Sequence, residues 1–383
     1  MVWSAISTRN ETPAISRGGW LDALRFIVAS MIILHHFQAA GPVPLAEGLH
    51  PVFERGGFLL TNFFLIDSGY VLMRVYGPAV GRGAMSPADF FLKRLLRVYP
   101  AHLIMGLSLV ALVLLSAVAG VAPRNPEWFA WDQLPAQLTL TQAFGIHGGL
   151  GWNAPSWSVS ALLGCYVLFP YILIGLKRLG PWSALLAVVG LYLIANAATQ
   201  AWLGFPVYQM PMKFGFFRAL PLFILGMGLA VFTDRVWIAP RLARIVGISA
   251  AVGLAVVQAF DKNALISLTF ISLIILAAGA IPVLKPSKLI ERASVVSFSM
   301  FITNDVVRIA WFGVANLLIA RYALSVPVQW SLWGGGVLAA FVFAFAFHSA
   351  IDQPVQRAIK TWMSRRRQGW RPVEVGAVVS QQG

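Results

Sequence analysis

The sequence predicts an all-α integral membrane protein, a polytopic bundle of about ten membrane-spanning helices with both termini in the cytoplasm. Hydrophobic residues make up 58% of the 383 residues and charged residues only 11%, whereas soluble domains carry about 25% charged residues. The apolar residues are gathered in long runs, and the basic residues fall mainly in alternate connections between those runs. These observations together indicate a chain that crosses a bilayer many times.

Ten apolar segments are long enough to span a membrane, which takes about 20 helical residues. They are residues 20–38, 57–75, 99–120, 156–176, 182–202, 214–233, 241–259, 264–284, 294–320 and 329–351. We expect a cytoplasmic segment over residues 1–19 and a transmembrane domain over residues 20–357. Residues 358–383 are expected to form a basic, partly disordered cytoplasmic tail.

The basic residues set the predicted orientation. Of 29 Lys and Arg residues, 21 lie in the termini and one set of alternate connections, and five lie in the other set. Because cytoplasmic loops carry the excess of Lys and Arg, both termini are predicted to be cytoplasmic. The net charge of +15 is therefore interpreted as a topology signal, and no nucleic-acid partner is expected. A single cysteine, Cys165, excludes a thiolate metal cluster, and no metal site is predicted.

Asp22, Arg25 and His36 lie in the first predicted span. At about 100° per residue, Arg25 and His36 share one helix face, whereas His35 points about 80° away from Arg25. Ionisable residues inside a span are costly and usually functional, so this stripe is a candidate catalytic site with His36 as general base. The alternative is that Arg25 reaches the cytoplasmic interface and the two histidines lie in the outer headgroup region.

The second predicted span carries Asp67 and Ser68 about ten residues from its start. A carboxylate at that depth needs a partner, and we expect Asp67 to orient either His36 or Arg25. A structural ion pair explains the same residue. Gly69 is expected to permit close approach of another helix.

The segment 90–103 is predicted to open the third helix on the cytoplasmic side, and its Lys93, Arg94 and Arg97 bring three cations to about one helical turn. Arg94 and Arg97 are spaced to share a face and are predicted to bind the phosphates of a nucleotide-bearing donor. Lipid phosphates would attract the same cluster.

The outer side is predicted to hold an acceptor pocket. Trp157, Ser158 and Ser160 open the fourth predicted span and can supply stacking and hydroxyl contacts. The connection over residues 121–155 is rich in Trp, Pro and Gly and is expected to help cover an outward-facing site. Tryptophan is also common at any membrane interface, which is the plainer interpretation of Trp157.

Two polar pairs lie near the end of the predicted transmembrane domain. Asp305 and Arg308 are three residues apart, and His348 and Asp352 are four residues apart, so each pair can meet on one helix face. Pairing within the helix is the simplest explanation of the first pair, and the second is expected at the cytoplasmic face.

Taken in order, these segments resemble the membrane-bound acyltransferase 3 family, the O-acyltransferases of cell-envelope and secreted glycans. LDALRFIVASMIILHH is similar to the first-helix signature of that family, FFLIDSGY to FFxLSGF, and FLKRLLRVYP to RxxRIxP. WSVSALLGCYVLFP is similar to WSLxxExxFYLxFP, SFSMFITN to SYxxYLxH, and IDQPVQR to IExPxRR. The resemblance extends from about residue 20 to residue 357.

The resemblance implies a bacterial inner-membrane O-acetyltransferase. Its donor substrate would be acetyl-CoA or another acyl-CoA reached from the cytoplasm, with no bound cofactor, and its acceptor a glycan or lipid-linked sugar hydroxyl. His36 would be catalytic, as general base or as carrier of the acyl group, with Arg25 as its partner. Arg94 and Arg97 would bind the CoA phosphates. Trp157, Ser158 and Asp352 match recurring motif positions.

Three positions depart from the family pattern. Leu162 stands where the family has glutamate, Asn304 where it has histidine, and Asp67 where it has an apolar residue. One hypothesis is that Asp67 supplies, next to His36, the missing carboxylate. Two other functions stay open: a transporter or flippase of a lipid-linked or anionic substrate, and an inactive scaffold in polysaccharide synthesis. The oligomeric state is not predicted.

Overall fold

The computed structural model describes residues 6–8, 17–41, 50–121, 123, 125–146, 151–260 and 264–368. Residues 369–383 of the predicted tail lie outside the described residues, and so do residues 1–5 and 9–16 of the predicted N-terminal segment. The helices are α1 (Trp20–Phe37), α2 (His50–Gly81), α3 (Pro87–Val118), α4 (Trp157–Lys177), α5 (Pro181–Leu203), α6 (Gly215–Arg235), α7 (Pro240–Ala259), α8 (Ala264–Ala280), α9 (Lys288–Tyr322), α10 (Val326–Phe347) and α11 (Gln353–Gln368).

The helices confirm the predicted class of a polytopic helical membrane protein. In the part of the chain that the structure describes, eight stretches are long and apolar enough to cross a membrane. They correspond to α1, α3 to α7, α9, and α10 with its continuation into α11. The remaining two predicted spans coincide with α2 and with the 17-residue α8.

Helix α3 begins at Pro87, well before the predicted span at residue 99. Its start is capped by Ser86, whose hydroxyl accepts a hydrogen bond from the backbone N–H of Asp89 at 3.0 Å. Proline at the first helical position suits such a start because its missing N–H needs no partner there. The apolar run alone therefore missed the first turns, and Lys93, Arg94 and Arg97 are all helical, as predicted for the segment that opens this helix.

Short elements connect the helices. Strand β1 (Ile6–Thr8) pairs antiparallel with β2 (Val236–Ile238), which follows α6. The connection between α3 and α4 contains 3₁₀ turns at Pro126–Phe129, Trp131–Gln133 and Ala154–Ser156, and a short helix at Leu134–Leu138. Residues 122, 124 and 147–150 of that predicted outer cover lie outside the described part.

Helices α2 and α6 cross at two glycines. A Cβ on Gly69 would lie 1.9 Å from the carbonyl oxygen of Phe223, and a Cβ on Gly226 would lie 1.9 Å from that of Ile66. The two backbones therefore touch, and the expected close approach at Gly69 is confirmed. Helix α1 packs against α2 on one side and against α9 on another, so these three helices enclose the polar residues of the candidate site.

Candidate active site

Arg25 is the centre of an ionic network near the start of α1. Its Nε donates to Asp67 Oδ2 at 2.7 Å and its Nη2 to Asp67 Oδ1 at 3.3 Å, while its Nη1 donates to Asp22 Oδ1 at 3.1 Å. Asp22 also accepts hydrogen bonds from the Gly18 N–H at 2.6 Å and the Ser294 hydroxyl at 2.8 Å. The network ties α1 to α2 and α9, and Arg25 is a fixed internal residue rather than one that reaches for the interface.

Asp67 binds Arg25 and not His36. Both of its oxygens accept hydrogen bonds from Arg25, and only 5% of its side chain is exposed. Arg25 and His36 are about 16 Å apart along α1 at 1.5 Å per residue, so a carboxylate held by Arg25 lies at the wrong depth for His36. The hypothesis that Asp67 serves as the missing carboxylate beside His36 is therefore wrong. Ser68 is half-buried beside it.

His36 is held by Asn304 of α9. The His36 Nδ1 and the Asn304 Oδ1 are 2.6 Å apart. The Asn304 Nδ2 donates to the carbonyl oxygens of Met300 at 3.2 Å and Phe301 at 2.6 Å, so the amide can present only its oxygen to the ring. His36 Nδ1 must then be the donor, which leaves a lone pair on Nε2. Within the described part of the chain, no side chain or backbone group hydrogen-bonds to that Nε2.

His35 occupies a different environment. Its ring packs on Gly57 of α2, where a Cβ would come within 2.1 Å of the ring. Its centroid is 5.4 Å from that of His36. His35 Nδ1 lies 3.3 Å from Gln38 Nε2, whereas His36 Nδ1 meets Asn304 of α9. The assignment of the catalytic role to His36 stays a prediction.

A second polar pair, Asp305 and Arg308, lies on α9 next to Asn304, the residue that contacts His36. Arg308 Nε donates to Asp305 Oδ1 at 2.7 Å, and its Nη2 lies 2.5 Å from the same oxygen. The contact predicted from their spacing is therefore present. The guanidinium of Arg308 lies 5.6 Å above the ring of Trp128, from the connection between α3 and α4.

Trp157, Ser158 and Ser160 hold the outer connection in place. Ser160 is fully buried, donates to the Leu140 carbonyl oxygen at 2.6 Å and accepts from the Ala143 N–H at 3.2 Å. Ser158 donates to the carbonyl oxygen of Pro155 at 3.3 Å. The ring of Trp157 lies 5.0 Å from the guanidinium of Arg218. All three have partners within the protein, and their role in binding an acceptor stays a prediction.

The sequence analysis did not identify Asn153, which binds the connection between α3 and α4 to α9. Its Nδ2 donates to the carbonyl oxygen of Ile302 at 3.3 Å, and only 1% of the residue is exposed. The preceding Trp152 adopts a left-handed backbone conformation with φ of 48° and is held by its N–H on the Trp128 carbonyl oxygen at 2.6 Å. A non-glycine residue in that region is uncommon and often marks a functional segment. The only signal in the sequence was an asparagine before Pro155 in a tryptophan-rich stretch.

Arg94 lies at the other end of the bundle between two tyrosines. Its guanidinium is 5.8 Å from the Tyr76 ring and 5.2 Å from the Tyr166 ring. In the described residues, neither Arg94 nor Lys93 forms an ion pair with a carboxylate. Stacking on aromatic rings fixes a guanidinium while leaving its charge uncompensated, which is suited to binding an anion.

Arg97 is paired with Asp352. Its Nη1 donates to Asp352 Oδ1 at 2.9 Å, and its guanidinium lies 4.9 Å from the ring of Phe298. The second carboxylate oxygen of Asp352 lies 3.1 Å from His348 Nδ1, which confirms the contact predicted from their spacing. Arg97 keeps 29% of its side chain exposed. Two motif positions far apart in the sequence therefore meet at the same end of the bundle as Arg94.

Comparison with known proteins gives a consistent result. A family model described as an acyltransferase domain, acyltransferase 3, matches residues 19–349. Acyltransferase MdmB of Streptomyces mycarofaciens is 29% identical over 163 residues, which is 41% of this chain and 40% of that protein. YrhL of Bacillus subtilis (strain 168), whose name describes a peptidoglycan O-acetyltransferase, is 24% identical over 194 residues, 47% of this chain and 28% of that protein.

A third relative, protein 2 in the picA locus of Rhizobium radiobacter, is 26% identical over 153 residues, 36% of this chain and 73% of that protein. The chain thus spans less than half the length of the first two relatives. No solved structure matches it. The family model nevertheless covers most of the chain and contains five of the six motifs in order, while the sixth, IDQPVQR at residues 351–357, lies just past its end. This chain therefore belongs to the acyltransferase 3 family, whose model describes an acyltransferase domain.

Proposed function

We propose that this protein transfers an acyl group, acetyl in the simplest case, from acyl-CoA to a hydroxyl of a cell-envelope or exported glycan at the bacterial inner membrane. The observation that carries the proposal is the hydrogen bond between His36 Nδ1 and Asn304 Oδ1. It fixes the ring in the tautomer whose Nε2 can accept a proton, which is what a general base needs. The name of the relative YrhL supports O-acetylation as the chemistry.

In the proposed reaction, His36 Nε2 takes the proton of an acceptor hydroxyl. The hydroxyl oxygen attacks the thioester carbonyl carbon, an ester bond forms, and the carbon–sulfur bond breaks. The proton on Nε2 then passes to the departing CoA sulfur, so the imidazole returns to its starting state. Asn304 keeps Nδ1–H fixed through the whole cycle, in the way that the third member of a catalytic triad orients its histidine.

Substitution of His36 tests the catalytic assignment. His36→Ala should abolish transfer of a radiolabelled acetyl group from acetyl-CoA to envelope glycan in isolated membranes, because no other base replaces Nε2. The matched control is His35→Ala, which removes the neighbouring imidazole and should retain transfer. Transfer at the normal rate in His36→Ala membranes contradicts the proposal. Uptake of a sugar or anion without His36-dependent release of free CoA points to a transporter instead.

The donor assignment rests on Arg94, whose charge has no carboxylate partner among the described residues. Arg94→Gln should raise KM for acetyl-CoA about tenfold to hundredfold, since a hydrogen bond to a charged group contributes about 1.5–3 kcal/mol. Wild-type protein should prefer acetyl-CoA to acetyl-dephospho-CoA, and the preference should shrink in the variant if Arg94 contacts the 3′-phosphate. Arg82→Gln, at an exposed position in the loop before α3, is the control. An unchanged KM for both donors refutes the assignment.

A further inference from the structure

Four side chains near His36 have no part in the proposed proton transfer. They are Trp128 and Asn153 of the connection between α3 and α4, and Asp305 and Arg308 of α9; we call them the outer cluster. Arg308 lies over the Trp128 ring at 5.6 Å. Asn153 is bound to the Ile302 carbonyl oxygen, which is three residues, or nearly one helical turn, before Asp305. The cluster therefore joins the outer connection to α9 at two points, through Arg308 over Trp128 and through Asn153 on Ile302.

The outer cluster has unused hydrogen-bonding groups. Both Arg308 nitrogens that reach Asp305 contact the same oxygen, Oδ1. In the described part of the chain, Asp305 Oδ2 and Arg308 Nη1 have no hydrogen-bond partner, and the buried Asn153 Oδ1 has none either. Asp305 Oδ2 and Arg308 Nη1 thus offer one acceptor and one donor beside the half-buried indole of Trp128. Asn153 Oδ1 is a further acceptor without a partner, but it is buried.

These groups suit a neutral sugar ring. Each sugar hydroxyl both donates and accepts hydrogen bonds, so it can satisfy a free carboxylate oxygen and a free guanidinium N–H at once. The ring of Trp128 adds a flat apolar surface for the C–H face of the sugar. Asp305 and Arg308 cancel each other's charge, so the pair gives an anionic ligand no net attraction. An apolar ligand would leave the polar groups desolvated and unpaired.

The cluster also lies at the depth of His36. His36 and Asn304 are each about 24 Å along their helices from the predicted cytoplasmic ends, at 1.5 Å per residue, and Asp305 follows Asn304 directly. We propose that the outer cluster is the acceptor subsite and binds a neutral sugar ring with one hydroxyl toward His36. This inference rests on the proposed function, and it moves the acceptor site away from Ser158 and Ser160, whose hydroxyls are bonded within the protein.

The test uses the full-length protein in lipid nanodiscs and measures free CoA released from acetyl-CoA. The neutral probes are the methyl glycosides of glucose, N-acetylglucosamine and mannose, and glucose 6-phosphate is the anionic probe. At least one neutral glycoside should stimulate release and glucose 6-phosphate should not. Trp128→Ala should raise KM for that glycoside about tenfold, which is the loss of about 1.4 kcal/mol, with KM for acetyl-CoA unchanged.

Two further variants keep the result interpretable. Trp128→Phe retains an aromatic face and should recover most of the loss. Trp202→Ala removes an exposed tryptophan at the same predicted face, at the end of α5, and should change neither KM. The subsite assignment is overturned if Trp128→Ala leaves the glycoside KM unchanged, if Trp202→Ala has the same effect, or if no neutral glycoside stimulates release. In each of these cases, His36-dependent transfer of acetyl groups to envelope glycan in isolated membranes would still support the proposed function.

Discussion

The pair formed by His36 and Asn304 changes the meaning of one departure from the family pattern. Asparagine at position 304 has both amide hydrogens committed to its own helix, so it offers the neighbouring imidazole an acceptor and nothing else. A histidine in that place can present either a donor or an acceptor, depending on its tautomer. The substitution therefore preserves a hydrogen-bond partner for His36 and makes its direction unambiguous. It gives no support to an inactive scaffold.

Removing this partner should lower the rate more than it weakens binding. Asn304→Ala frees His36 to rotate and to change tautomer, and we expect kcat to fall about tenfold to hundredfold, equivalent to about 1.4–2.8 kcal/mol in the barrier. The KM values for donor and acceptor should stay within about twofold, because Asn304 contacts neither substrate in the proposed reaction. Steady-state acetyl transfer in nanodiscs measures both quantities.

Recovery of kcat by a second substitution at position 304 tests whether Asn304 positions His36 or only stabilises α9. Asn304→His, the residue of the family motif, should recover much of kcat. The control Thr303→Val removes a buried hydroxyl that bonds only within α9, to the Ser299 carbonyl oxygen at 2.7 Å, and should leave kcat near the wild-type value. Equal losses in Asn304→Ala and Thr303→Val would show that the effect comes from disturbing α9 rather than from His36.

Among the helices, the junction of α10 and α11 shows how an irregular turn aims one side chain. Residues His348–Asp352 form a π-helical turn, which inserts an extra residue into the helix and rotates the next helical residues about the axis. Asp352 is then buried against α3, where it binds Arg97, and Gln356 one turn later donates to the Leu96 and Arg97 carbonyl oxygens. The π turn therefore docks α11 on the start of α3, beside the proposed donor site.

The crossing of α2 and α6 gives a prediction about stability. Gly226→Ala places a methyl group 1.9 Å from the Ile66 carbonyl oxygen, and backbone cannot move aside as a flexible side chain can. We expect the helices to separate and the melting temperature in detergent to fall by several degrees, consistent with an overpacking cost of about 1–3 kcal/mol.

Gly190→Ala in α5 is the matched control, because nothing lies within 4 Å of a Cβ at that position. Alanine is the better helix former there by about 0.5–1 kcal/mol, so this variant should melt at or above the wild-type temperature. A Gly226→Ala protein as stable as the wild type would show that the two backbones are not in contact.

For the whole molecule, the sequence predicted more about the helices than about their contacts. Long apolar runs identified the helices, and helical spacing identified pairs such as Asp305 and Arg308. The His36–Asn304 contact joins residues 268 positions apart, and hydropathy does not say which faces of two apolar helices meet. The same limit applied to Asp67: its place in the second span suggested a partner in α1 without fixing which one, and the structure selects Arg25 of the two expected.

The predicted orientation can be tested by labelling introduced cysteines. Cys165 is buried, and Cys165→Ala gives a background without thiols. Ala84→Cys lies in the exposed loop between α2 and α3, and Ser325→Cys in the exposed loop between α9 and α10. In intact cells an impermeant maleimide should label position 325 and not position 84, which should react only after lysis. The reverse pattern would invert the topology and place the Arg94 end outside.

The pairing of β1 with β2 can report whether the helices between the two strands have been assembled. Two strands of three residues are too short to hold together alone, and here they close a loop of about 230 residues. Such pairing is expected only after the intervening helices have been inserted and packed. Strand β1 is therefore expected to stay unpaired on the predicted cytoplasmic side while helices α1 to α6 are synthesised. A disulfide trapped between cysteines at Ser7 and Trp237, which are partners in the register, would therefore mark finished molecules and not nascent ones.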